Sequence, residues 1–113
     1  MEQSILKSTK KMLGLDESYT AFDLDVLTSI NLSFATLTQI GIISDAGFAI
    51  TDDTTSWSSL NLTTPLLSLA KSYIYLKVRM LFDPPNTSFL INAYEEQIKE
   101  YEWRLKMLKE YQS

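Results

Sequence analysis

Two consecutive prolines, Pro84 and Pro85, fall between the two most regular stretches of the 113-residue chain. The first bars helical geometry at Asp83 and the second prolongs an extended link, so a helix that reaches Phe82 must stop there. Before the stop, Leu66, Leu67, Ala70, Tyr73, Ile74, Lys77, Val78, Leu81 and Phe82 build a broad face of helical period. Thr64-Pro65 supplies a capping residue and a first-turn proline, which predicts a helix over 65–82. After the stop, Ile91, Tyr94, Ile98, Tyr101, Leu105 and Leu108 alternate at spacings of three and four, the seam of a helix over 88–111 that packs on a partner helix. Glu95 with Lys99, Glu100 with Arg104, and Glu102 with Lys106 stand four apart in the favourable order. The two runs should fold back on one another through an elbow at Leu81, Phe82 and the prolines, setting Ile91, Tyr94 and Ile98 against Tyr73, Ile74, Val78 and Leu81.

Two earlier helices follow from the same periodicity. One, over 4–13, sets Ile5, Leu6, Thr9, Met12 and Leu13 on one face and Lys7, Lys10 and Lys11 on the other, with Gly14 at the left-handed C-terminal cap. The next, over 21–40, carries Phe22, Val26, Ile30, Phe34 and Leu37, is opened by Thr20 or Asp23, and ends at Gly41. Between 42 and 50 the period changes. Ile42-Ile43 and Phe48-Ala49-Ile50 flank Ser44-Asp45-Ala46-Gly47, which reads as a β-hairpin that must lean on helices. Residues 51–59 read as a polar loop or one helical turn, with Trp57 packing at the core or its edge. The expected fold class is all-α: one domain over 1–113, a small four-helix bundle with one short β-hairpin between the second and third helices and a long C-terminal helix.

The inventory for chemistry is thin. The chain has no cysteine and no histidine, which removes disulfides, thiolate nucleophiles, imidazole bases and most zinc or iron sites. Its three glycines form no phosphate cradle. Serine has no base to activate it, and Asp45, Asp52 and Asp53 lack the spacing of a calcium loop, so they read as a solvated turn. No catalytic, metal or cofactor residue is assigned, and no enzyme is expected. The sequons at Asn31, Asn61 and Asn86 read as chance tripeptides. No apolar run approaches the roughly 18 to 20 residues of a membrane span, and the lysines break any signal-like core near the N-terminus, so a soluble intracellular protein is expected.

Charge is unevenly placed. Residues 1–11 carry three lysines against Glu2, residues 12–70 carry seven acidic groups and no Lys or Arg, and residues 71–113 are nearly balanced, giving a net −4. An acidic middle has the wrong sign to grip phosphates, so sequence-reading of DNA is not expected. Lys7, Lys10 and Lys11 read either as a solvated face or as the basic surface that meets the acidic segment of a neighbouring copy. The C-terminal helix carries more apolar side chain than one seam consumes. Tyr101, Trp103, Arg104, Met107 and Tyr111 are the candidate protein-interface residues, with Trp103 the anchor and Arg104 placed to pair with a carboxylate.

Several strings stand in a recognisable order: Ile5-Leu6-Lys7, Lys11-Met12-Leu13-Gly14, Ala21-Phe22-Asp23, Ile30-Asn31, and Leu37-Thr38-Gln39-Ile40-Gly41. The lone Trp57, the run Tyr75 through Leu81-Phe82-Asp83-Pro84-Pro85, and Glu102-Trp103-Arg104-Leu105 complete the set. Together they resemble the small head-tail connector (adaptor, head-completion) proteins of long-tailed bacteriophages, most specifically in the Leu-Phe-Asp-Pro-Pro stop followed by Glu-Trp-Arg-Leu. The resemblance implies a structural virion protein made in the host bacterial cytoplasm. It also implies a ring of about twelve copies between the portal protein and the tail-completion or stopper proteins, around a channel where DNA is touched only passively. The competing expectation is a small cytosolic helical adaptor or regulator that binds a partner through its C-terminal helix.

Overall fold

In the computed structural model, residues 4–44 and 47–112 are described. Among them are four α-helices, α1 (Ile5–Met12), α2 (Asp23–Gln39), α3 (Thr64–Phe82) and α4 (Ser88–Gln112), with a 3-10 turn over Trp57–Leu60. α3 is central: α2 packs on one side of it and α4 on the other, while α1 lies against α2. Leu66, Ala70, Tyr73, Ile74 and Val78 of α3 meet Val26, Ile30, Phe34 and Leu37 of α2 in one buried cluster that Ile5, Leu6 and Trp57 complete. Ser29 and Ser33 are buried on the same face of α2, where small side chains permit close approach, and Ser33 satisfies its hydroxyl on the Ser29 carbonyl at 3.0 Å.

The elbow falls where the prolines demand. α3 ends at Phe82, and the Arg79 guanidinium folds over its last turn to donate to the Asp83 carbonyl. Thr87 then opens α4, its hydroxyl accepting from the Leu90 amide at 3.3 Å. Leu81 is nevertheless exposed and Phe82 only half-buried, its ring meeting Phe22 edge-on at 5.7 Å.

Two expectations need correction. No strand pair forms among the described residues between α2 and α3, and the expected hairpin's turn residues Asp45 and Ala46 lie outside those residues. The hydrogen-bonding groups a ladder would use are taken. Gly41, at φ +88°, turns the chain so that the amides of Ile42 and Ile43 both point back to the Leu37 carbonyl, at 2.9 and 3.3 Å. The Asn31 side chain accepts from the Ile50 amide at 2.8 Å and donates to the Ile50 carbonyl at 2.9 Å. Ile42, Ile43 and Ile50 thus bury their side chains without pairing their backbones. The isolated bridge between Ser4 and Ser56, carried by the Ile5 amide on the Thr55 carbonyl at 2.9 Å, ties this segment to α1.

The second correction is to α1. Its buried face is Ile5, Leu6, Thr9 and Lys10, and Met12 points outward. Lys10 follows Leu6 by four residues and so sits directly behind it on the inner face. Its side chain is 2% exposed, and its ammonium lies 2.8 Å from the Asp23 carboxylate and donates to the Glu17 carbonyl at 3.0 Å. Asp23 therefore anchors α1 rather than capping α2, whose first turn has no side-chain cap.

Candidate protein interface

The heptad seam of α4 is its inward side: Ile91, Tyr94, Ile98, Tyr101 and Leu108 are half-buried and Leu105 fully buried. Turning that seam inward leaves the opposite face to solvent. There Trp103 is 62% exposed, Met107 40% and Tyr111 88%, one turn apart from one another, with Arg104 exposed beside them. The Arg104 guanidinium is held 3.3 Å from Glu100 along the helix, the one of the three expected four-apart pairs that forms. Lys99 turns to Glu96 at 4.0 Å instead. Glu102 turns inward, accepting from the Tyr73 hydroxyl at 2.9 Å. Burial, and then this carboxylate, push the Tyr73 phenol well above its ordinary range.

Of the candidate residues, Trp103, Arg104, Met107 and Tyr111 share one outer face. Tyr101 does not: it is half-buried beside Tyr94, Tyr75 and Met12 in a cleft of about 310 Å³. The lysines also divide. Lys10 is spent on the buried pair with Asp23, and Lys7 lies 3.7 Å from Asp53, so two of the three meet the acidic segment of their own chain. Lys11 is exposed. The acidic turns are occupied locally. The Thr54 hydroxyl and then its amide hold the Asp52 carboxyl below its usual range, and the Ser18 amide and hydroxyl do the same to Asp16.

A second uncovered surface was not expected. Phe22, Leu32, Leu81 and Phe82, with Thr28 and the carboxylates of Asp25 and Asp83, line an open groove of about 720 Å³ between α2 and the end of α3. Leu32 is the sequence signal for it, an apolar side chain off the core stripe of α2, on a face that a helix packed on one side would leave polar. Phe89, 79% exposed in the first turn of α4, is a further apolar side chain at the elbow end.

Among the described residues no group of three or more acidic side chains is arranged to hold a metal ion. None of the helices there is long and apolar enough to cross a membrane. No curated protein and no solved structure matches the chain. A family model described as phage connector protein matches residues 5–112. That span takes in all four helices and the elbow, sets aside the reading as a cellular adaptor, and shows that the chain belongs to the phage connector proteins, with a structural role at the head-tail junction of the virion.

Proposed function

We propose that this connector is the adaptor subunit of a homo-oligomeric ring, about twelve copies by family resemblance, seated between the portal protein and the tail-completion proteins around the DNA channel. The observation that carries the proposal is the outer face of α4. With its seam already used against the bundle, the helix still presents Trp103, Met107 and Tyr111 to solvent, and an exposed aromatic cluster with an adjacent arginine has the composition of an interface anchor. Trp103, Arg104, Met107 and Tyr111 are assigned to contacts with neighbouring copies or the portal. The channel lining contacts DNA without gripping it, because a chain of net charge −4 displaces few counterions.

The test is the double substitution Trp103→Ala with Arg104→Ala. Both side chains are exposed, so the circular dichroism spectrum of the purified variant should match that of the parent. Particles made with it should show joined heads and tails reduced by at least about tenfold, the effect of about 1.4 kcal/mol of lost interface energy. Normal joining by a well-folded double variant would refute the site assignment.

A further inference from the structure

We propose that α1 is a strap that opens as a unit while α2, α3 and α4 stay folded, carrying the Lys10 ammonium out into water as it goes. This motion belongs to the single chain and goes beyond its reading as a ring subunit.

Length and packing make α1 the least anchored of the helices. It has eight residues, too few to hold helical geometry in water by itself. Two of its four buried side chains are apolar, Ile5 and Leu6, and the other two are Thr9 and Lys10. The Thr9 hydroxyl is buried without a hydrogen-bond partner, and an unsatisfied buried hydroxyl favours the state that returns it to water. The Lys10 ammonium has given up its hydration for the Asp23 carboxylate and the Glu17 carbonyl, an exchange in which the lost water offsets much of the attraction. The other ties are polar and run to residues 53–57: the Ile5 amide on the Thr55 carbonyl, the Trp57 indole N–H on the Ser8 hydroxyl at 2.9 Å, and Lys7 near Asp53. Water can replace each of them.

What α1 leaves behind is held without it. The apolar stripe of α2 stays buried on α3, and Trp57 keeps the Tyr75 ring edge-on at 5.8 Å and the Lys71 ammonium 5.4 Å over its face. Asp23 lies in the first turn of α2, at the positive end of that helix, and is already partly exposed, so its charge stays compensated when Lys10 leaves. Gly14, at φ +83° with open space around it, supplies a pivot between α1 and α2 that is free of side-chain strain. Closed, the strap sets Lys7 and Lys10 on Asp53 and Asp23 of its own chain. Open, it uncovers both members of each pair, together with Ile5 and Leu6.

Hydrogen exchange on the full chain separates strap opening from global unfolding. Because α1 opens alone, its amides should exchange faster than those of α3 and at a rate that low urea hardly changes, whereas α3 exchange climbs with urea in proportion to the surface that global unfolding exposes. Leu105→Val removes one buried methylene from α4 and should speed α3 exchange by roughly fivefold while leaving α1 exchange as in the parent. Amine labelling of the parent reads the same event. N-hydroxysuccinimidyl acetate should modify Lys10 far more slowly than the exposed Lys11, yet at urea concentrations well below the unfolding transition. Amides of α1 and α3 that exchange at one rate with one urea dependence, equal acceleration of both by Leu105→Val, or Lys10 labelled only where the chain unfolds would each overturn the proposal. So would α1 amides without protection and Lys10 labelled as fast as Lys11, since the strap would then never close.

Discussion

At the scale of residues, Lys10 and Tyr73 carry the sharpest consequences. Among the described residues Lys10 is the one charged side chain drawn fully inside, and removing its ammonium strands the Asp23 carboxylate against α1. Lys10→Met keeps the apolar stem and should cost about 2 to 4 kcal/mol in urea denaturation, below the cost of a wholly buried pair because Asp23 keeps some contact with water. Adding Asp23→Leu should recover most of that loss, and a double variant no better than the single would show that the pair is not the cause. Tyr73 is fully buried with its hydroxyl on Glu102. Tyr73→Phe should cost about 1 to 2 kcal/mol near pH 7, at the low end for a charged acceptor because Glu102 can rehydrate. The folded state holds this phenol's proton more tightly than the unfolded state, whose phenol titrates near 10.0. The contribution is therefore complete below pH 10 and declines above it, so the gap between parent and variant should narrow as pH rises past 10. Neither contact was legible in the sequence. Periodicity set all three lysines outside, because the pattern of α1 alone cannot know that Asp23 waits behind Leu6, and no spacing links Tyr73 to a glutamate 29 residues on.

At the scale of elements, the helices and the elbow were legible because their causes are local: a two-proline stop, glycines that turn positive in φ after α1 and α2, and apolar spacings of three and four. Depth was not. The pairing expected across the elbow, with Ile91, Tyr94 and Ile98 on α3, would put the deepest burial in the first half of α4. Among the described side chains Leu105, in the second half, is the fully buried residue of α4, and residues 88–97 include none. The helix crosses α3 so that its far end, with Lys109, reaches Ile42, Leu60 and Leu62, and that depends on a connection no helical pattern describes. One turn of α4 therefore holds two opposite roles. Leu105→Ala should destabilise the chain by about 2 to 5 kcal/mol, and Trp103→Ala, two residues earlier on the wet face, by less than about 0.5. Parallel thermal melts check the contrast, and equal losses would mean that Trp103 is packed rather than displayed. The stretch between α2 and α3 was misread for a related reason. Its isoleucines are β-prone and do go inside, but Leu37 and Asn31 compete for their backbone groups, and that competition is invisible until the helices are placed.

At the scale of the whole molecule, the acidic middle is partly self-neutralised: Asp23 and Asp53 turn to Lys10 and Lys7. What remains outward is weakly negative, and the purified chain should bind duplex DNA more weakly than about 10⁻⁴ M at physiological salt, which a fluorescence-anisotropy titration measures. Binding a hundredfold tighter would put an active DNA contact on this surface. The clasp of Asn31 on Ile50 bears on aggregation as well as on the fold. An extended stretch with free amides and carbonyls is a template on which another chain can lay a strand, and such growth is indiscriminate and slow to reverse. With both groups of Ile50 already engaged by a side-chain amide, the most apolar point of this stretch offers a stray strand nothing to zip onto. Strand addition at this point would first have to break both hydrogen bonds to Asn31.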